Sequence, residues 1–421
     1  MDKMVICGGT PLHGTIEVSG SKNAVLPIMA AALLTDERCV ITNVPDLRDV
    51  QTMIRIFRAL DIKAVFDGGA VIIEPKSSKK FIAEYSLVKT MRASICVLGP
   101  LLAKQKKAQV SMPGGCVIGQ RPVDLHIKGL RALGAEIEIK HGYISAQVKK
   151  LRGANVFLGG AYGSSVLATT NVLCAATLAE GRTLIENAAC EPEVADLADF
   201  LIKMGAKIRG HGTPTIEVEG VRQLGGATHA VIPDRIETGT HMIAAALTDG
   251  DLLIRNARRD HLSALVDKLE QMGVGITARG ENIRVKRRQR TLKPVDVTTL
   301  PYPGFPTDMQ AQMMSLAAVS DGISVITEKI FPDRFMHVSE MNRMGADIFL
   351  EGASAIVRGV KKLSGAPVMA SDLRASAALV LTALVAEGRT DISRIYHLDR
   401  GYDRIETKLI KVGAKIRREK E

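Results

Sequence analysis

The sequence predicts an α/β protein assembled from six copies of one unit, and three observations predict it. A helix ending in a hydrophobic-Gly-Ala turn recurs at near-constant spacing, a strongly apolar helical segment precedes each turn, and short β-like runs fill the intervals. The turn reads Leu133-Gly134-Ala135, Met204-Gly205-Ala206, Met272-Gly273-Val274, Met344-Gly345-Ala346 and Val412-Gly413-Ala414. Leu60-Asp61-Ile62 occupies the same slot without its glycine. The central positions lie 73, 71, 68, 72 and 68 residues apart, a period near 70. Glycine at a helix end predicts a left-handed C-terminal cap.

Each unit opens on an apolar helix, at 24–34, 94–102, 166–178, 241–247, 309–319 and 375–385. Helices apolar on every side are expected to be buried, with sheets and second helices around them. The second helix is amphipathic, as at 50–60, where apolar residues recur at three- and four-residue steps. Strands are expected at 40–43, 183–186, 215–218 and 282–285, among others. Units one to five end in a strand after the turn, whereas the sixth reaches Lys415-Ile416-Arg417-Arg418 without one. Met4-Val5-Ile6 and Thr15-Ile16-Glu17-Val18 belong to no unit, so they are expected to complete the last ones. The expected domains are 21–231, carrying Cys116, and a discontinuous second one of 1–20 plus 232–421, each of three repeats.

With 421 residues, 46% hydrophobic and 24% charged, the composition is that of an ordinary globular chain. The net charge of +11 favours anionic partners. No Trp and 4% aromatics argue against the base-stacking surfaces of single-stranded nucleic-acid binders. The basic runs Lys286-Arg287-Arg288-Gln289-Arg290 and Lys104-Gln105-Lys106-Lys107 lie between apolar segments and read as solvated turns. Six cysteines without CxxC spacing fit reduced thiols in the cytoplasm. The N-terminus has no signal pattern, and the longest apolar run, 24–34, is broken by Pro27 and too short for a bilayer.

Chemistry concentrates in Pro113-Gly114-Gly115-Cys116-Val117-Ile118-Gly119-Gln120-Arg121-Pro122. Glycines around one thiol predict a mobile loop, and a nearby arginine favours thiolate over thiol. Polar residues lead into the apolar helices: Lys22-Asn23, Arg92, Ser164-Ser165, Glu237-Thr238, Asp308 and Arg374. Arg48, Arg121 and Arg400 stand 13 residues before their turns and Arg334 stands 11 before, leading into the second helices. Cations at helix N-termini double a field that already suits anions; each taken alone could equally cap a nearby carboxylate. The repeat symmetry predicts that helix starts from both halves face a common cleft, with Asp308 a lone acid among bases and a candidate proton acceptor. His126 and His229 lack a second His or Cys at metal-ligand spacing, so no metal site is expected.

Several long motifs carry a resemblance. They are Ser19-Gly20-Ser21-Lys22-Asn23-Ala24, Lys89-Thr90-Met91-Arg92-Ala93-Ser94, Pro113 through His126, Pro233-Asp234-Arg235-Ile236-Glu237-Thr238-Gly239, Phe305 through Gln312, Arg334-Phe335-Met336-His337 and Asp399-Arg400-Gly401-Tyr402. These resemble the UDP-N-acetylglucosamine 1-carboxyvinyltransferases of the enolpyruvyl transferase family, over essentially the full chain. The resemblance implies an inside-out α/β barrel of two domains with three repeats each. It also implies transfer of the enolpyruvyl group of phosphoenolpyruvate to the 3′-hydroxyl of UDP-N-acetylglucosamine, with no metal or other cofactor.

By that resemblance Cys116 is the loop acid that also forms a covalent adduct, Asp308 takes the sugar hydroxyl proton, and Lys22 is catalytic. Lys22, Arg121 and Arg400 hold the phosphate and carboxylate, assisted by Asn23, Arg92 and Arg374, with Arg334 in support. Arg92, Arg121, Pro122, Val123, Asp124, Leu125, Ser165, Val166, Asp308 and Ile330 are implied for the nucleotide sugar. The chain departs from the family at Leu167, where a glycine is usual, after the Gly-rich run 159–163. Two alternatives are the related shikimate 3-phosphate transferase, which lacks the Pro-Gly-Gly-Cys loop, and a nucleic-acid-end binder on the same repeats.

Overall fold

The computed structural model describes residues 2–75, 78–112, 123–161 and 163–420. The chain divides into two compact units, one of 2–19 with 233–420 and the other of residues between 20 and 232. Among the described residues each unit holds three four-stranded sheets of one design.

Cys39–Thr42 shows the design. It follows an apolar helix, pairs antiparallel with Ala70–Glu74, and that strand pairs with Lys63–Asp67, which follows the amphipathic helix. A short edge strand lies parallel on the other side; here it is Thr228–Ala230, brought back from the far end of the unit. Gly68 and Gly69 join the hairpin with φ of 54° and 81°, the doubly left-handed turn whose twist matches paired strands. Alternation sets the register: Val71 and Ile73 are buried, Ala70, Ile72 and Glu74 only half so.

Inside the sheets of the 20–232 unit lie Lys22–Ala31, Leu98–Gln105 and Val166–Ala176. In the other unit Arg235–Leu247, Gln310–Ala317 and Leu373–Val385 hold the same place. All six are buried almost throughout, as their lack of a polar face requires. The amphipathic Arg48–Ala59 instead buries one stripe, including Met53, Ile56 and Phe57. Burying one such large apolar side chain is worth about 2–3 kcal/mol. Small residues let the innermost helices approach: the Gly99 N–H donates to Asn171 Oδ1 at 2.6 Å, and Ser315 Oγ donates to the Ala378 carbonyl at 3.0 Å.

The turns fall in register. Gly134, Gly205, Gly273, Gly345 and Gly413 have φ between 88° and 107°, and Asp61 in the sixth slot is also left-handed at 57°. One expectation is corrected. The sixth unit does form a strand after its turn, Lys415–Lys420, although only Ile416 in it is well buried. A charged edge strand needs one covered face, so its lack of apolar residues concealed it. The strand that the sixth unit lacks is the hairpin return, and Asp2–Cys7 fills that position, antiparallel to both Arg389–Ser393 and Lys415–Lys420. His13–Glu17 lies parallel to Asp251–Arg255 as the edge of another sheet.

The returning strand Thr228–Ala230 is fastened from beneath. His229 Nε2 donates to Asp196 Oδ1 at 2.8 Å, its Nδ1 accepts from Lys203 at 3.0 Å, and Asp196 Oδ2 accepts the Ile232 N–H. His229 is thus a satisfied core histidine.

Candidate active site

In the unit of 2–19 and 233–420 the starts of the three buried helices meet. Asp308 lies in the 3₁₀ turn Thr307–Met309 that leads into Gln310–Ala317. Arg374 is the second residue of Leu373–Val385, whose cap Asp372 accepts the Arg374 and Ala375 N–H groups. Thr240, on the third helix, lies 3.5 Å from Gln312 Nε2. Three sequence-predicted groups touch: Arg374 Nη2 donates to Asp308 Oδ2 and Arg334 Nη1 to Oδ1, each at 2.9 Å.

Burial alone would raise the Asp308 pKa, but the charges of Arg374 and then Arg334 hold it well below the usual carboxylate range. Arg374 is only 2% exposed, and its Nε and Nη1 have no hydrogen-bond partner among the described residues. A guanidinium fork with unspent donors is suited to an anion.

Glu328 organises the far side. Fully buried, it accepts from Thr299 Oγ1 at 2.6 Å, Thr307 Oγ1 at 2.8 Å and the N–H groups of Ile330 and Phe331 at 2.8 and 2.9 Å. With its proton committed to Glu328, Thr307 Oγ1 can only accept from Arg334 Nη1, at 3.0 Å. Ile330 is thereby held by its backbone in the same unit as Asp308. Sequence reasoning missed Glu328. Its signal was the repeat slot just after a strand, where Asn43, Asn187 and Asn256 stand left-handed elsewhere.

Two placements differ from expectation. Arg334 precedes its helix, Val338–Arg343, by four residues, and Arg400 closes the 3₁₀ turn Ile395–Arg400, five residues before Ile405–Ile410. Neither sits at a helix N-terminus. The extra residues of the loops let Arg334 turn back onto Asp308 instead.

In the 20–232 unit Lys22 opens its helix and is followed by Asn23. Lys22 Nζ lies 2.8 Å from Asp49 Oδ2, both side chains at most 10% exposed. Asp49, in the first turn of Arg48–Ala59, was not singled out by sequence, although an acid there suits the helix dipole. Arg92 opens the 3₁₀ turn Arg92–Val97, against which the Lys22 helix packs. Val123, buried, caps Asp124–Ala132; Asp124 is exposed and Leu125 half-buried.

His126, on that helix, is driven down to about 3 by burial and then by the Arg92 charge. Neutral, it meets Asn171 Nδ2 at 2.9 Å, and the same amide donates to the Ile95 carbonyl at 3.0 Å. The turn Arg92–Val97 and the helix Asp124–Ala132 thus both meet Val166–Ala176 at Asn171. Ser165 caps the last of these, its Oγ accepting the Ala168 N–H at 3.3 Å. Leu167 leaves that helix intact and packs its side chain on the core, while Gly160 and Gly163 close the preceding turn with paired hydrogen bonds of 3.0 and 3.1 Å.

Cys116, Arg121 and Pro122 lie outside the described residues. Of the described cysteines, burial raises the pKa of Cys39, Cys96, Cys174 and Cys190, Cys96 to about 12. Thiols so shifted are poor nucleophiles at neutral pH.

The family model of EPSP synthase (3-phosphoshikimate 1-carboxyvinyltransferase) matches residues 6–409. A UDP-N-acetylglucosamine 1-carboxyvinyltransferase of Nitratidesulfovibrio vulgaris is 56% identical over 421 residues, the whole of both chains. That of Desulfosudis oleivorans is 54% identical over 418 residues, 99% of each. The crystal structure of the enolpyruvyl transferase NikO from Streptomyces tendae superimposes with a TM-score of 0.90 at 25% identity, covering 99% of this chain and 98% of that one. A structure of EPSP synthase from Acinetobacter baumannii, at 18% identity with all of both chains covered, gives 0.74 and shares the fold. The fold is the two-domain inside-out α/β architecture, and the chain belongs to the enolpyruvyl transferase family as one of its UDP-N-acetylglucosamine 1-carboxyvinyltransferases.

Proposed function

We propose that this chain transfers the enolpyruvyl group of phosphoenolpyruvate to the 3′-hydroxyl of UDP-N-acetylglucosamine and releases phosphate, the first committed step toward bacterial peptidoglycan. The observation that carries the reading is Asp308 gripped by Arg334 and Arg374 where the helix starts meet, in a chain 56% identical to such a transferase. The reaction is an addition followed by an elimination. Cys116 gives its proton to the methylene carbon of phosphoenolpyruvate, and positive charge builds at the neighbouring carbon. The sugar hydroxyl adds there as Asp308 takes its proton. Loss of a proton from the new methyl group and cleavage of the carbon–oxygen bond to phosphate then restore the double bond.

Cations must clamp a dianion throughout, and Lys22, Arg121 and Arg400 are assigned to it, with Asn23 and Arg374 beside them. Arg92, Arg121 to Leu125, Ser165, Val166, Asp308 and Ile330 are assigned to the nucleotide sugar. Asp308 as it stands is a weak base, because two arginines stabilise its anion. Substrate carboxylate and phosphate, by drawing those cations to themselves, would return its proton affinity.

No helix among the described residues is long and apolar enough to cross a membrane. The partners are two small molecules and the place of action the cytoplasm. Phosphate release measured with each substrate alone and with both tests the reading. Release with shikimate 3-phosphate in place of the nucleotide sugar would replace it.

A further inference from the structure

Behind the Asp308–Arg374 pair stands a side chain to which the reaction gives no role. Tyr402 is 3% exposed, and the Arg374 guanidinium carbon lies over its ring, 5.5 Å from the centroid. Its hydroxyl lies 2.8 Å from Thr240 Oγ1. Thr240 already donates to the Ile236 carbonyl at 2.8 Å, so the tyrosine must be the donor to Thr240. Tyr402 Oη then accepts from Gln312 Nε2 at 3.2 Å, and the same amide donates to the Asp308 carbonyl at 2.9 Å. Ring and hydroxyl thus reach the two halves of the ion pair by separate routes. Tyr402 also follows Arg400 by two residues. Between them Gly401 lies so close to Leu373 that a Cβ would come within 2.5 Å of its side chain, pressing this segment onto the start of the Arg374 helix.

Resting on the reading above, we propose that Tyr402 is a positioning residue: its ring is the platform that fixes the Arg374 guanidinium against Asp308, and its hydroxyl, locked by Thr240 and Gln312, keeps the ring in place. A guanidinium otherwise short of partners is held by the ring's negative face, and burial of both groups makes that attraction strong. Arg374 faces Asp308, Tyr402 and Asp234, and Asp308 faces Arg374 and Arg334. Weakening the platform loosens the strongest charge on Asp308.

The test replaces Tyr402 with phenylalanine and then with progressively fluorinated phenylalanines. These keep shape and packing but drain the ring of negative charge. Across the series kcat is expected to fall about tenfold, the rate equivalent of one such contact, while the KM for the nucleotide sugar stays level. The acid limb of the kcat/KM profile, which reports the free enzyme, is expected to move to higher pH as Asp308 loses its cation. A flat series in kcat and acid limb, with or without a change in melting temperature, would overturn the proposal and leave Tyr402 a core residue. A wild-type enzyme that releases no phosphate from the two substrates would overturn the assigned reaction instead, so the two failures are told apart.

Discussion

Lys22 Nζ sits 2.8 Å from Asp49 Oδ2, with both side chains nearly excluded from water. A lysine assigned to a dianionic substrate is therefore already partnered, and the carboxylate fixes where its ammonium points. Removing one member of a buried pair strands the other's charge, at about 3 kcal/mol. Asp49→Ala is expected to lower the melting temperature and to raise the KM for phosphoenolpyruvate more than that for the nucleotide sugar. An equal fold-change in the two KM values would separate Asp49 from the Lys22 role.

Asp308 carries two predictions. Asp308→Ala is expected to reduce turnover about 10²–10⁴-fold with a smaller effect on affinity, because the base proposed above is lost while the arginines remain. The second concerns pH. Its folded pKa lies below the unfolded value of about 3.9, so its contribution to stability is complete above that pH. It is lost as the pH falls below about 4 through the folded value. On the proposed reading substrate anions compete for Arg334 and Arg374, so the acid limb of kcat is expected at higher pH than that of kcat/KM. Coincident limbs would mean that Asp308 keeps both arginines in the complex.

Why some of this was legible in sequence and some was not has a physical basis. The repeat shows itself because a left-handed helix end tolerates few residues and an all-apolar helix has one destination, the interior. Asp308 and Arg374 could be singled out because charge next to such a helix is anomalous, and Arg334 by its place 11 residues before the repeated turn. Asp49 and Glu328 were hidden for the opposite reason: an acid in a first turn or after a strand is locally ordinary, and only its tertiary partner gives it meaning. The Lys415–Lys420 strand was invisible because an exposed edge needs no apolar alternation. The Gly114-Gly115-Cys116 segment, which the sequence marks most strongly, is outside the described residues.

For that segment the prediction is chemical. Cys116→Ser is expected to abolish turnover and alkylation by the epoxide fosfomycin while leaving nucleotide-sugar binding mostly intact. A hydroxyl is a far weaker acid and nucleophile than a thiol, which titrates near 8.5. A serine variant as fast as the parent would remove the assigned role.

Asp196 serves only the fold in this account, which makes it a control. Asp196→Ala leaves the His229 Nε2–H and the Ile232 N–H without their acceptor in a buried setting, at about 2–4 kcal/mol. The Thr228–Ala230 strand is the one brought back to close the first sheet, so the loss is expected as a lower melting temperature. Both KM values should stay at the parental level at low temperature. A change in either would tie this clamp to the substrates.

The turn slots give the last prediction. Five of the six markers are glycine with φ between 88° and 107°, and Asp61 alone bears a side chain there, at φ 57°. An L-residue held in that region costs about 1 kcal/mol, and aspartate somewhat less because it can bond locally. The ion pair of Asp61 with Lys80 is exposed on both sides and offsets little of this. Asp61→Gly is therefore expected to raise stability by a few tenths to about 1 kcal/mol, and Gly345→Ala to lower it by about 1 kcal/mol or more. Chemical denaturation of the two variants measures the contrast. Destabilisation of Asp61→Gly would show that a contact of this aspartate, rather than the shape of its backbone, holds the slot.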